Sequence, residues 1–151
     1  MTEADLSDVE RIEYLAYSEE LAEPIAVLAA KFRLAPALCF VARVDSMTVG
    51  YAIAHPWDRH SSPGLGVELS ALPATREVVH IHDLALDPAY GGRGIARQLF
   101  DVLLNSAREQ GFEELTLVAV QGAQMFWERM GFEVAGAAAG YDSQAVFMRR
   151  P

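Results

Sequence analysis

Three observations predict an α/β domain, a mixed sheet layered between helices. Two apolar, β-branched runs, Leu38 to Val44 and Thr48 to Ala54, flank Asp45-Ser46-Met47, which is a hairpin signal. In the second half, strand-like runs alternate with helical periods, so a sheet covered by helices follows. The chain has 151 residues, 52% hydrophobic and 22% charged. That length supports one hydrophobic core and is too short for two ordinary enzyme domains, so a single domain over 1–151 is expected.

The elements follow in order. Ser7-Asp-Val-Glu10 has capping-box spacing, and Val9, Ile12, Leu15 and Ala16 recur at helical intervals, which predicts a helix from Ser7 to Ala16. Pro24 opens a second helix, Ile25 to Phe32, which stops before Pro36. The hairpin comes next. From His55 to Glu77 the pattern fails, with three prolines, Gly64 and Gly66, and so long an irregular connection is either a binding lid or simply flexible. Val78 to Leu86 reads as a strand and Asp87 to Gly94 as a loop. Ile95 to Gln110 reads as an amphipathic helix with Ile95, Leu99, Val102, Leu103 and Ala107 on its apolar face and Gly111 as its stop. Leu115 to Val120 is a strand and Ala123 to Met130 a short helix; Phe132 to Ala135 and Ala145 to Met148 are the last strands.

Composition excludes several classes. Twelve Lys+Arg against 21 Asp+Glu give a net charge of −9, which repels phosphate backbones, so nucleic acid is not an expected partner, whereas cationic amines are compatible. The single cysteine, Cys39, rules out a disulfide framework and a thiolate zinc site, and its apolar neighbours mark it as a small buried hydrophobe. No secretory signal opens the sequence and no apolar run approaches a membrane span, so a cytoplasmic protein without a membrane partner is expected.

The segment Tyr90-Gly-Gly-Arg-Gly-Ile-Ala96 carries the most chemistry. Glycines between a strand and a helix let the backbone approach a ligand closely, and free N–H groups at the helix start favour an anion such as a phosphate. Arg93 and Arg97 add local positive charge; an ordinary glycine-rich turn is the plainer alternative. Neither a Walker loop nor a dinucleotide fingerprint fits, because Gly-Lys is missing and Arg97 stands where the last small residue belongs.

In its context the segment resembles the GNAT superfamily of acetyl-CoA-dependent N-acetyltransferases. Leu84-Ala-Leu-Asp-Pro-Ala-Tyr-Gly-Gly-Arg-Gly-Ile-Ala96, an amphipathic helix, a strand and Phe126-Trp-Glu-Arg-Met-Gly-Phe132 carry that resemblance, which extends from Cys39 to Met148. It implies the GNAT fold: a mixed, mostly antiparallel sheet, splayed at the cofactor site, with helices on both faces. A short strand usually precedes the first helix; here only Met1 to Leu6 remain for it, so it is expected to be frayed or missing. The implied donor is acetyl-CoA. Its pyrophosphate would lie on the amides of Gly91, Gly92, Arg93, Gly94, Ile95, Ala96 and Arg97, and its pantetheine arm along Leu84, Ala85 and Leu86 as an added strand. Gly94 and Ala96 match the family loop, while Gly91 stands where Arg or Gln is usual, and Arg93 is a candidate for the missing charge.

His80-Ile-His82-Asp83-Leu84 places two histidines on one strand face, where a group titrating near neutrality suits a general base. The placement resembles the His-x-His strand of arylalkylamine N-acetyltransferases, which implies His82 or His80 as base toward a small primary amine. One partly buried structural histidine and one surface histidine are the alternative reading, and no metal site is expected because Leu84 stands where a metal pattern needs Asp. Asp83 faces the other side of a regular strand and joins the site only if a β-bulge re-aims it. Trp127 occupies the position of the family's usual acid, a Tyr, and indole donates a hydrogen bond without ionising, so packing or a place beside the cofactor sulfur are its two readings. Tyr141, Tyr90 or water then remain as acids, or no acid is needed, since a thiolate of pKa near ~8.5 is a fair leaving group. His55-Pro-Trp57-Asp58 is either a cation-binding element or a capped turn. The expected activity is direct acetyl transfer to a small amine. The alternative is an acyl-CoA-binding sensor of the same fold without turnover. The resemblance also implies a possible homodimer.

Overall fold

The computed structural model describes all 151 residues. A single sheet of six strands has the order β1-β2-β3-β4-β6-β5, with β1 Cys39–Val44, β2 Met47–Trp57, β3 Val78–Leu86, β4 Leu115–Ala119, β5 Glu133–Ala137 and β6 Val146–Arg150. Only β3 and β4 run parallel; every other neighbouring pair is antiparallel. The helices are α1 Leu6–Ala16, α2 Ile25–Leu34, α3 Ile95–Glu109 and α4 Gln124–Arg129. No helix is long and apolar enough to cross a membrane.

The two faces of the sheet carry separate cores. Val79, Ile81 and Leu117 pack against Leu99, Phe100 and Leu103 of α3 and Trp127 of α4, while Tyr51, Ile53 and Ala85 pack on the opposite face against Val9 and Ile12 of α1 and Leu28 and Phe32 of α2. Burial of such side chains is the main stabilising term. Within α3 the apolar stripe differs from the expected one. Val102 is 49% exposed, whereas Phe100 and Leu104 are buried. The stripe is turned so that Phe100 meets the rings of Trp127 and Phe132 edge to face.

Three boundaries also differ from expectation. No strand precedes α1; a 3₁₀ turn at Glu3–Asp5 stands there instead. The cap is made one turn before Ser7, since the Thr2 N–H and hydroxyl donate to Asp5 Oδ2 at 2.7 and 3.0 Å. β2 continues through His55 and Pro56 to Trp57, paired with β3. Pro56 is tolerated there because pairing with β1 has already ended at Ile53, so its missing N–H breaks no ladder.

Two irregularities open the sheet. β3 and β4 pair only at Val79–Leu115, His80–Thr116 and Ile81–Leu117, and beyond Ile81 both strands continue unpaired to one another. At the same level β3 bulges: Ile53 faces Asp83 and Ala54 faces Ile81, leaving His82 without a partner in β2. One extra residue shifts the side-chain alternation by one. Leu84 and Leu86 therefore join the α3 face that Ile81 occupies, and Asp83 and Ala85 turn to the α1 face.

Candidate active site

The parting of β3 and β4 leaves a cavity of about 300 Å³. Its floor and walls are Leu84, Ala85 and Leu86 of β3, Leu117 and Val118 of β4, Ala96 at the start of α3, and Phe126 and Trp127 of α4. Trp127 thus both packs, edge to face with Phe100, Phe126 and Phe132, and lines the cavity. Past Asp83, β3 has β2 on one side only, so alternate backbone N–H and C=O groups of residues 84 to 86 are left without a strand partner on the cavity side.

At the mouth, the loop before α3 presents donors. The Gly91 N–H donates to Pro88 C=O at 3.2 Å, but the next six amides, Gly92 to Arg97, have no acceptor within the protein. The first intrahelical bond begins only at Gln98, whose N–H reaches Gly94 C=O. Gly92 and Gly94 make this possible with φ of 74° and 77°, a region that side-chain-bearing residues rarely enter, and no protein atom lies within 4 Å of where their Cβ would stand. A row of free N–H groups with the positive end of a 15-residue helix behind them fits a diphosphate. Arg93 lies exposed beside this row with its guanidinium 5.0 Å over the Tyr90 ring, and Arg97 pairs with Asp101 at 3.2 Å.

The opposite end of the cavity is polar and acidic. Glu13 and Tyr17, in and just after α1, Glu23 from the α1–α2 connection, His82 and Asp83 from the bulge, and Tyr141 from the β5–β6 loop all line it. The bulge brings Asp83 to the same side as His82, where it accepts from Tyr17 Oη and contacts Tyr51 Oη at 2.5 Å. Tyr51 Oη also touches Glu13 Oε2. One phenol has one proton, so two carboxyls on the same oxygen require a second proton between them. Asp83 is the favoured holder, since burial first, and then the neighbouring Glu13, push its carboxyl well above the usual range.

His82 and Glu23 form the other pair. His82 Nε2 lies 2.5 Å from Glu23 Oε1. Burial lowers the His82 affinity for a proton, and the Glu23 contact only partly restores it. Burial works to raise Glu23, yet its bond to His82, Lys31 and the Gly66 N–H together hold it below the ordinary carboxylate range. Both directions favour a neutral imidazole beside an ionised carboxylate. Nδ1 is buried and has no partner.

His80 lies on the same face as His82, as its spacing predicts, but does not reach the cavity. It is 1% exposed, its Nδ1 is 3.0 Å from Thr116 Oγ1, and burial drives its proton affinity well down. Tyr90 is also elsewhere, its hydroxyl directed to Met47 Sδ. Asp58 caps its own turn by accepting from the His60 N–H at 2.8 Å, and neither it nor Trp57 lines the cavity. Cys39 is buried, with its thiol pushed up to about 12.

The sequence reading did not single out Glu13, Glu23 or Lys31. Glu13 is four residues from Val9 and one from Ile12, a charge on the buried arc of α1, and Lys31 interrupts the buried arc of α2 in the same way. Those misplaced charges were the available signal. Glu23, in an irregular segment before Pro24, carried none.

Comparison with known proteins agrees with this architecture. Residues 4–132 match the acetyltransferase (GNAT) family. An uncharacterized N-acetyltransferase of Methanocaldococcus jannaschii is 38% identical over 61 residues, which is 38% of this chain; the match spans only 27% of that relative's length. Among solved structures, the GphF GNAT-like decarboxylase in complex with isobutyryl-CoA superposes with a TM-score of 0.80 at 17% identity, covering 99% of this chain and 96% of that one. The ribosomal-protein-S18-alanine N-acetyltransferase of Escherichia coli does so with a TM-score of 0.72 at 19% identity, covering 100% and 90%. At these identities the likeness is one of fold. With the family match covering most of its length, the chain belongs to the acetyltransferase (GNAT) family.

Proposed function

We propose that the chain is an N-acetyltransferase that moves the acetyl group of acetyl-CoA to a small primary amine by direct attack. The observation that carries this reading is the pairing of six free amides, Gly92 to Arg97, at one end of the cavity with His82 and three buried carboxyls at the other. Acetyl-CoA supplies an activated thioester. The amides hold its diphosphate, and the open edge of Leu84 to Leu86 holds its pantetheine arm, with a backbone N–H near Leu84 polarising the thioester carbonyl. The cavity's volume of about 300 Å³ favours a small acceptor, and Glu13 and Glu23 in its lining favour a cationic one.

His82 is the base, acting directly or through water. It takes one proton from the bound ammonium, the freed amine forms the C–N bond as the C–S bond breaks, and the second nitrogen proton balances the departing thiolate as CoA thiol. A covalent acyl-enzyme has no support, because Cys39 is buried and its thiol is pushed up to about 12. We assign assistance of the thiolate to Tyr141, a phenol that lines the cavity, although burial raises its own affinity for its proton. The experiment is thiol release from acetyl-CoA over a panel of aryl, alkyl and polyamine acceptors, with an N-terminal peptide in parallel. The reading predicts turnover on a small amine and a loss of about 100-fold or more in His82→Ala with acetyl-CoA affinity unchanged. Acetyl-CoA binding without thiol release on any acceptor would favour the sensor, and turnover on the peptide alone would overturn the small-amine acceptor.

A further inference from the structure

A base that is itself buried needs its protonated and free nitrogens assigned by a neighbour. His82 is such a base, with its side chain 1% exposed. Its Nε2 meets Glu23 Oε1 at 2.5 Å, and its Nδ1 meets nothing. Glu23 is 4% exposed and is fixed on every side: Pro24 follows it and disfavours helical backbone there, its own N–H donates to Glu13 Oε1 at 2.7 Å, and its Oε2 accepts from the Gly66 N–H at 2.5 Å. Gly66 belongs to the long connection between β2 and β3, which is held a residue further on by Lys31 Nζ donating to Val67 C=O at 2.8 Å.

We propose that Glu23 is a positioning residue for acyl transfer: seated by the Gly66 N–H, its carboxylate holds the His82 hydrogen on Nε2 and leaves the Nδ1 lone pair to take the acceptor's proton. The proposal rests on the reading of His82 as base. It also makes the β2–β3 connection part of the catalytic apparatus, because withdrawing Gly66 frees one oxygen of the carboxylate that orients the base. The charged and titratable groups around His82 are Glu13 from α1, Lys31 from α2, His55 from β2, and His80 and Asp83 from β3. None of them contacts a ring nitrogen of His82; Glu23 does, at Nε2.

Two measurements test it. The first, independent of activity, is the ¹⁵N spectrum of the His82 imidazole in the intact protein, where Nε2 is expected to be protonated and Nδ1 to resonate as a lone-pair nitrogen; a hydrogen on Nδ1 overturns the proposal. The second is the pH profile of kcat/KM in Glu23→Gln. Removing the negative charge makes protonated His82 less favourable, so the acid limb is expected to move to lower pH while the plateau falls at least about tenfold. A plateau that falls with the limb unmoved is the signature of a merely structural role and overturns the proposal, as does an unchanged profile. Failure of the wild-type protein to release thiol with any amine counts against the base reading instead, and the imidazole spectrum still decides the Glu23 contact.

Discussion

Burial of histidine has a consequence for stability that can be worked out for one residue. His55 is completely buried, its Nε2 has no partner, and burial first, then the nearby His82, pushes it down to about 3. Its pKa is lower in the folded protein than in the unfolded chain, near ~6.5, so the unfolded chain takes up a proton that the folded one refuses. The penalty is absent above ~6.5 and grows as pH falls toward about 3. At pH 5.5 the unfolded imidazole is protonated roughly ten to one, worth about 1 kcal/mol, and at pH 4.5 the figure is about 3 kcal/mol. The wild-type slope alone does not report this, because Asp83, raised in the folded protein, acts with opposite sign over the same range. The comparison is urea unfolding of wild type and His55→Gln at pH 7.5, 5.5 and 4.5. The stability of wild type minus that of the variant should fall by about 1 kcal/mol at the second pH and about 3 kcal/mol at the third. A difference that stays constant would show that His55 protonates in place, and the buried histidine cluster would have to be more open than described.

Two further outcomes follow from the geometry. Gly94→Ala forces a side chain into φ of 77° without a clash, so it should cost about 1–2 kcal/mol, lower Tm by about 2–8 °C and weaken CoA binding by placing a methyl group among the free amides, all read by thermal melts with and without CoA. Cys39, with its thiol pushed up to about 12, should resist iodoacetamide in the native protein and react fully in urea; fast native labelling would contradict its burial.

Patterns governed by local rules were readable from the chain. The order of strands and helices from Leu38 onward follows from side-chain periodicity, and the free amides follow from three glycines placed where a strand turns into a helix. Asp83 reaches the site only because β3 bulges, and the bulge occurs at His82. What periodicity does not encode is contact between distant segments. Glu23 meets His82 across 59 positions and Gly66 across 43, and no local pattern announces either bond. The same limit explains Val102: its helical spacing is apolar, but β1 ends the sheet on that side and leaves nothing to cover it. His80 and His82 were equivalent by spacing, and only the parting of β3 from β4 beyond Ile81 separates them, since His80 is paired with Thr116 and His82 stands at the opening.

The central claim is that the amides at the start of α3 grip the coenzyme's diphosphate. An amide-resolved ¹H–¹⁵N titration of the protein with coenzyme A measures this directly. Saturable shifts concentrated on Gly92 to Arg97, with the amides of Leu84 to Leu86 following, are the predicted result. Coenzyme A that binds without moving those resonances, or does not bind at all, would contradict the account.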